Sequence, residues 1–215
     1  MIGRSELALH LVTDDRIPFA RLVGIVDAAI DGGVTLVQLR DKQASARQLL
    51  AHAVELSGMI GGRVPFLVND RLDIAVAARD AGARIDGIHL GQSDASPTSA
   101  RELLGPGALV GWTANTPEQL AVAALMPIGT LDYLGVGVIH ATRTKPDHPS
   151  VLGITGFEAL AAATRIPCVA IGGVLASDVA PLRRAGAVGC AVVSAICRAE
   201  DPAAAARAFA GAVRR

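Results

Sequence analysis

The sequence lacks an excess of charge of either sign, because 20 Lys and Arg residues stand against 20 Asp and Glu residues. A protein that holds a nucleic-acid backbone or an anionic membrane surface needs surplus positive charge, so we expect neither as a partner. Small anions bound by a few local side chains are compatible with this balance. The charge composition therefore predicts small-molecule ligands.

Cysteine is also scarce, and the three residues present, Cys168, Cys190 and Cys197, are odd in number and lie in apolar surroundings. Such cysteines behave as small hydrophobic residues rather than as a disulfide framework, which favours a reducing cytoplasm. No apolar run approaches membrane-spanning length, and the first residues lack the pattern of a cleavable secretion signal. We expect a cytoplasmic protein. The sequence leaves its oligomeric state open and is compatible with a homo-oligomer.

What the sequence does contain is 215 residues with 51% hydrophobic content, enough for one core and too short for two ordinary domains. Short apolar segments that end in polar residues or glycine alternate with longer alanine- and leucine-rich segments of helical period. Eight of the short segments are predicted strands: residues 7–12, 36–39, 65–68, 87–90, 109–113, 133–137, 168–171 and 190–193. Capping patterns predict helix starts at Ser45 with Gln48, Thr116-Pro117 with Gln119, Thr155 with Glu158, and Asp201-Pro202.

This alternation predicts an α/β protein, a single (β/α)8 TIM barrel over residues 1–215. About 27 residues per unit leave little room for loops, so most connections must be short. The exception is the polar, proline-rich segment 138–153, which we interpret as a mobile active-site loop. An open doubly wound sheet also alternates strands and helices. The barrel is favoured because polar clusters recur after many strands rather than at one switch point.

The first polar cluster lies at the end of the second predicted strand. Period-two geometry sends Gln38 and Arg40 to the same face, and Lys42 follows just beyond. An arginine fork and a lysine close together suit a diphosphate, whose clustered oxygens accept from charged donors. The alternative is a solvated strand end with surface charges.

The next strand ends carry two carboxylates. Asp70 and Asp94 are hard oxygen ligands of the kind that hold Mg²⁺ together with waters and substrate phosphates. Taken singly, Asp70 is explained as a helix cap and Asp94 as a turn residue. His89, within the fourth strand, is interpreted as a hydrogen-bonded packing residue rather than a catalytic base. Thr113 ends the fifth strand, and its hydroxyl is a candidate donor to a phosphate oxygen.

Two further sets complete the candidate site. The first set lies on the predicted mobile loop and supplies two hydroxyls and a cation, from Thr142, Thr144 and Lys145. As a lid, this loop would exclude water from a reactive intermediate. The alternative for that segment is a disordered surface loop. The seventh and eighth strands are followed by the candidate phosphate residues Gly172, Gly173 and Ser194. In barrels this corner often binds phosphate on backbone N–H groups, although tight turns also favour glycine.

In this order, six segments closely resemble the thiamine-phosphate synthase family. They are VQLRDK (37–42), NDRLD (69–73), GIHLGQSD (87–94), TRTK (142–145), AIGGV (170–174) and VVSAI (192–196). The resemblance implies a transferase that condenses 4-amino-2-methyl-5-hydroxymethylpyrimidine diphosphate with 4-methyl-5-(2-phosphoethyl)thiazole. Thiamine phosphate and diphosphate would be the products, and Mg²⁺ the cofactor.

The resemblance also implies residue roles. Catalytic roles fall to Arg40, Lys42, Thr113 and Lys145, and the metal ligands are Asp70 and Asp94. The implied substrate contacts are Gln38, Leu39, Arg40, Asp41, Lys42, Asn69, Thr113, Thr142, Thr144, Lys145, Gly172, Gly173, Val193 and Ser194.

Some positions depart from the family pattern. Thr113 stands where serine is common, with Trp112 beside it, and the hydroxyl survives. Val138, His140 and Ala141 replace the frequent proline, phenylalanine and proline before the loop, which puts loop conformation and thiazole affinity in question.

Two other functions stay open at this point. The related thiazole tautomerase branch uses a histidine base without diphosphate or metal, and His140 is a candidate for that base. A non-catalytic sensor of phosphate ligands would keep the barrel and lack part of the ionic set.

Overall fold

The computed structural model describes residues 5–142 and 150–214. Within these residues, eight parallel strands close into a barrel in chain order, which confirms the (β/α)8 fold and excludes the open sheet. The strands are β1 (Leu9–Val12), β2 (Leu36–Leu39), β3 (Phe66–Asn69), β4 (Gly87–Leu90), β5 (Leu109–Thr113), β6 (Tyr133–Gly137), β7 (Cys168–Ile171) and β8 (Ala187–Val192). The helices are α1 (Phe19–Asp31), α2 (Ala46–Ile60), α3 (Leu72–Asp80), α4 (Pro97–Leu104), α5 (Pro117–Leu125), α6 (Gly153–Ala162), α7 (Val179–Arg184), α8 (Ser194–Cys197) and α9 (Pro202–Arg214).

The predicted strands agree with the observed ones, with small shifts at β1, β3 and β8. The first begins at residue 9 rather than 7, and β3 runs from 66 to 69 rather than 65 to 68. The largest difference is at β8, which begins at Ala187 because the small residues before Cys190 already pair with β7. Predicted strand ends were more accurate than starts, and the ends carry the polar clusters.

Three of the four predicted helix starts are confirmed. The Ser45 side chain accepts from the Gln48 N–H in a full capping box, and Thr116 accepts from the Gln119 N–H. Asp201 Oδ1 accepts from the Ala204 N–H at 2.8 Å. The prediction for Thr155 is wrong: α6 begins at Gly153, and the residue before it provides no side-chain cap.

Alternation along the strands divides the apolar residues into two layers. One set fills the barrel interior and includes Leu36, Leu67, Leu109 and Tyr133; a larger set packs between the strands and the surrounding helices. The Tyr133 ring fits because its neighbour on β5 is glycine: a Cβ on Gly111 would lie 2.2 Å from Cζ of Tyr133. The interior is therefore a packed core below the open mouth of the barrel.

All three cysteines are buried and unbridged. Burial raises the pKa of the Cys168 thiol to about 11, and those of the Cys190 and Cys197 thiols to about 12. They pack as neutral thiols, as expected from their apolar surroundings. In the part of the chain that the structure describes, no helix combines the length and the apolar character needed to cross a membrane.

Candidate active site

The C-terminal ends of the strands surround one cavity of about 1000 Å³. This is the end of a (β/α)8 barrel at which active sites are built, because the loops after the strands converge there. Most of the residues singled out in the sequence line it: Gln38, Arg40, Lys42, Asn69, Asp70, His89, Asp94, Thr113, Thr142, Gly172, Gly173, Val193 and Ser194.

Two of the implied contacts lie outside this cavity, and two more fall outside the described residues. Leu39 is 1% exposed and packs in the apolar layer outside the barrel, because it alternates with the inward-facing Gln38. Asp41 accepts the N–H groups of the two residues that follow Lys42, at 2.8 and 2.9 Å, so it shapes a turn. Thr144 and Lys145 lie outside the described residues, as does the middle of the predicted mobile loop.

An amide pair forms one wall of the cavity. Gln38 Nε2 donates to Asn69 Oδ1 at 2.6 Å, and the Gln38 side chain is almost fully buried. Both side chains come from strand ends, which fixes them more firmly than a loop would. Because each amide carries donors and acceptors, the pair still has groups to offer a heteroaromatic ring.

The two cations after β2 are each held by a carboxylate. Arg40 Nη1 lies 3.1 Å from Asp15 Oδ2, and the Lys42 backbone N–H donates to the same oxygen at 3.2 Å. Lys42 Nζ forms an ion pair with Asp70. Sequence reasoning missed Asp15; the only signal was its place in an acidic pair directly after β1. A guanidinium has five N–H donors, so Arg40 keeps donors for an anion.

Asp70 and Asp94 come together at the mouth. The pKa of the Asp94 carboxyl is raised, first because burial disfavours the charged form and then because the Asp70 side chain lies in hydrogen-bond contact with it. Asp94 Oδ2 also accepts from the Gly91 N–H at 2.6 Å, so it serves the turn as well. Asp70 does not cap α3, whose preceding residue is Arg71.

This carboxylate pair fits Mg²⁺ by its chemistry. Two close carboxylates disfavour each other's charge, and a divalent cation removes that penalty. Among the described residues no cluster of three or more His, Cys, Asp or Glu side chains is formed. Mg²⁺ in proteins commonly keeps several waters and takes substrate phosphates as ligands beside one or two carboxylates.

His89 is hydrogen-bonded on both sides. Its Nδ1 lies 3.0 Å from the Tyr133 hydroxyl, and its Nε2 lies 3.0 Å from Thr113 Oγ1. The side chain is 6% exposed and also lines the cavity. Its place in this network agrees with the interpretation as a hydrogen-bonded packing residue.

The corner between β7 and β8 requires glycine. Gly172 and Gly173 have φ angles of 89° and 71°, in the left-handed region that favours glycine. A Cβ on Gly172 would lie 2.2 Å from Cγ1 of Val138, and one on Gly173 would lie 2.8 Å from the His140 carbonyl oxygen. Ser194, at the start of α8, lines the same cavity. Glycine is therefore required here because the turn after β7 packs closely against the segment that follows β6.

Asn115 and Gln119 are polar cavity residues that the sequence analysis did not assign to the site. Asn115 Oδ1 accepts from the Gly137 N–H at 3.0 Å, and Gln119 Oε1 accepts from the Asn115 N–H at 2.6 Å. Both line the cavity beside Thr116. Gln119 was interpreted only as a partner in helix capping, and Asn115 carried no signal beyond its place after a strand.

The fold and the cavity define the class of this protein: a (β/α)8 barrel with a cavity lined by charged and polar side chains at the C-terminal ends of its strands. A family model described as thiamine monophosphate synthase matches residues 9–196. The thiamine-phosphate synthase of Xanthobacter autotrophicus is 48% identical over 210 residues, which cover 97% of this chain and 96% of the relative. That of Psychrobacter sp. is 45% identical over 199 residues, covering 92% and 91%.

A solved structure agrees with the sequence relatives. The thiamine phosphate pyrophosphorylase from Pyrococcus furiosus superposes with a TM-score of 0.82 at 30% identity, covering 98% of this chain and 97% of that one. The chain belongs to the thiamine monophosphate synthase family. The resemblance carried by the six segments is thereby confirmed.

Proposed function

We propose that the barrel condenses 4-amino-2-methyl-5-hydroxymethylpyrimidine diphosphate with 4-methyl-5-(2-phosphoethyl)thiazole, with Mg²⁺, and releases thiamine phosphate and diphosphate. The coarser statement, a transferase that forms thiamine phosphate in thiamine biosynthesis, follows from family membership. One observation carries the finer proposal. A single cavity holds an amide pair, two cations, two carboxylates and a glycine-lined corner, which together match both substrates.

The pyrimidine ring binds beside Gln38 and Asn69. Its amino group needs an acceptor and its ring nitrogens need donors, and two side-chain amides offer both kinds of group. Their mutual hydrogen bond of 2.6 Å and the burial of Gln38 hold them in place before the substrate arrives. A site organised in advance loses less free energy on binding.

The diphosphate lies toward Arg40 and Lys42, and Thr113 donates to one of its oxygens. The bond between the exocyclic methylene carbon and the diphosphate oxygen breaks, and both electrons leave with the oxygen. Charged donors placed where that negative charge grows stabilise the leaving group. Asp70 and Asp94 would hold Mg²⁺, which when bound would supply further positive charge to the leaving group. Lys145, assigned to this group by resemblance, adds a third cation in the proposal.

The thiazole completes the reaction without help from a protein nucleophile. The substitution is dissociative: departure of diphosphate leaves a cation that the pyrimidine ring stabilises, and the lone pair of the thiazole nitrogen then forms the new carbon–nitrogen bond to its methylene carbon. The thiazole phosphate is held at Gly172, Gly173, Val193 and Ser194, with Thr142 and Thr144 completing the proposed contacts. The distant phosphate therefore aligns the ring for attack, which is an entropic contribution to the rate.

The tautomerase alternative finds no support in the described geometry. It needs a histidine base at the thiazole, whereas His140 is not among the described residues that line the cavity. A phosphate sensor should have lost part of the ionic set. Here Arg40, Lys42, Asp70 and Asp94 all reach one cavity.

We also place the protein in the cytoplasm. Three unbridged, buried cysteines support a reducing compartment, and the neutral charge balance gives no reason to expect a membrane surface as partner. Fractionation of the producing cells tests this placement, which recovery in a membrane or extracytoplasmic fraction would contradict.

The proposed reaction is tested by mixing purified protein with both substrates and measuring thiamine phosphate and diphosphate together. We expect the two products in equal amounts, only with Mg²⁺ present, and none after chelation. Omitting the thiazole phosphate controls for simple hydrolysis of the diphosphate. The proposal would be contradicted if chelation left product formation unchanged, or if no product formed with any metal.

A further inference from the structure

A hydrogen-bonded chain runs through the barrel interior to the cavity. It begins at Tyr133 on β6, passes through His89 on β4 and ends at Thr113 on β5, with both links at 3.0 Å. Two glycines make room for it. A Cβ on Gly111 would lie 2.5 Å from the Tyr133 hydroxyl oxygen, and one on Gly135 would lie 2.9 Å from Cε1 of His89. The contacts therefore depend on a space that the surrounding strands leave open.

The hydroxyl of Tyr133 sets the direction of the chain. Tyr133 is 1% exposed, and burial strongly raises its pKa, so the phenol keeps its proton. Among the described residues, the recorded hydrogen-bond partner of this hydroxyl is His89 Nδ1. A buried donor without an acceptor costs free energy, so the hydroxyl donates and Nδ1 accepts. The imidazole proton is then on Nε2, from which it is donated to Thr113 Oγ1.

We propose that Tyr133 and His89 are positioning residues that fix Thr113 as a hydrogen-bond donor facing the cavity. Because Thr113 Oγ1 already accepts from His89, its own O–H is directed to the cavity that it lines. The reverse chain would have Thr113 donating to His89, with its lone pairs turned toward the substrate. The inference rests on the proposed function in one respect, since the acceptor is taken to be a diphosphate oxygen.

The direction of the chain is measurable without substrate. Protein labelled with ¹⁵N at histidine reports by NMR which ring nitrogen carries the proton, and the His89 signals are assigned by their loss in His89→Asn or His89→Gln. We expect the proton on Nε2 and, for Nδ1, a ¹⁵N chemical shift typical of a nitrogen that accepts a hydrogen bond. In Tyr133→Phe we expect the Nδ1 chemical shift to change to that of a nitrogen with no hydrogen bond.

The matched control for that shift is His10→Phe. His10 contacts Tyr133 edge to face, with ring centroids 5.2 Å apart, so phenylalanine keeps the packing and leaves the tyrosine hydroxyl in place. We expect unchanged His89 signals in this variant. Three results would each overturn the inference. They are a proton on His89 Nδ1 in the unsubstituted protein, a doubly protonated His89 ring, and an Nδ1 chemical shift that Tyr133→Phe leaves unchanged.

Kinetics tests the consequence for turnover. Tyr133→Phe should lower kcat about tenfold, because a hydrogen bond to a charged group is worth about that factor or more. In a Thr113→Val background the same substitution should change kcat less than about twofold, since the donor that it orients is gone. In a Thr113→Ser background, which keeps the hydroxyl, Tyr133→Phe should still lower kcat about tenfold. Equal losses in all backgrounds would mean that Tyr133 acts only through packing.

The two measurements separate the inference from the proposed function. If the unsubstituted protein formed no thiamine phosphate, the proposed function would fail while the tautomer result stood. If His89 carried its proton on Nδ1 in a protein that forms product, only the positioning role would fail.

Discussion

Asp70 joins an unusual backbone to a proposed metal site. Its φ of 63° lies in the left-handed region that residues other than glycine seldom adopt, and its side chain meets both Lys42 and Asp94. Backbone strain of this kind persists where the surrounding structure enforces it, and it concentrates at functional sites. Asparagine tolerates the same backbone region and has nearly the same shape, so it tests the charge alone.

We therefore predict that Asp70→Asn lowers kcat/KM at least about 100-fold and weakens Mg²⁺ dependence, while the free energy of unfolding stays nearly unchanged. Steady-state kinetics over a Mg²⁺ titration, with thermal unfolding alongside, makes the comparison. The control is Asp73→Asn, which removes an exposed ion pair with Arg71 worth less than about 1 kcal/mol. Equal losses of activity and stability in Asp70→Asn would make the residue structural.

At the scale of the strand, the interior packing around Tyr133 requires glycine at position 111. Because a Cβ there would lie 2.2 Å from the tyrosine ring, Gly111→Ala should destabilise the barrel by about 1–3 kcal/mol, as overpacked cores do. Urea unfolding measures the loss. The matched control is Gly107→Ala, where no atom lies within 4 Å of the new Cβ. A change of less than about 0.5 kcal/mol at position 111 would show that the interior yields easily.

The helix starts give a second prediction at this scale. Ser45→Ala removes the N-cap of α2 and should cost about 1 kcal/mol of unfolding free energy with kcat unchanged. Thr155→Ala is the control, because Thr155 lies inside α6 rather than at its start. Chemical denaturation of both variants decides, and an equal cost at the two positions would contradict the observed helix boundaries.

The elements also explain which parts of the site were predictable from sequence. Parallel strands of a barrel end at one rim, so polar residues after β2, β3, β4 and β5 had to converge, whatever their separation in the chain. Side-chain direction was harder. Strand alternation already implied that Leu39 faces away from Gln38, but family resemblance alone had assigned it to the substrate. Asp15 was not predictable, because its role depends on where the Arg40 side chain turns.

Across the whole molecule, stability should depend on pH through His10. Burial, with a smaller electrostatic contribution from His89, lowers the pKa of His10 from 6.5 to about 3. In the unfolded chain this histidine binds a proton below about pH 6.5, whereas in the folded protein it stays neutral until about pH 3. Above about pH 6.5 His10 is neutral in both states and costs nothing. As the pH falls from 6.5 to 3, the unfolded chain binds a proton that the folded protein does not, so the free energy of unfolding decreases.

We predict that lowering the pH from 7.5 to 5.0 costs the protein about 2 kcal/mol of unfolding free energy through His10 alone. His10→Phe should remove that part of the pH dependence while it keeps the packing against Tyr133. Urea unfolding of both proteins at the two pH values measures the difference. Identical pH dependence in both would show that His10 is not the responsible group.

In the proposed reaction, the cations and carboxylates at one side of the barrel mouth receive the departing diphosphate, and the glycine-lined corner holds the thiazole phosphate. The most direct measurement is a crystal structure of the protein with Mg²⁺, thiamine phosphate and diphosphate. It should show diphosphate oxygens on Arg40 and Lys42, the metal on Asp70 and Asp94, and the thiamine phosphate group at Gly173 and Ser194. Diphosphate bound at the glycine corner, or a metal away from both aspartates, would contradict it.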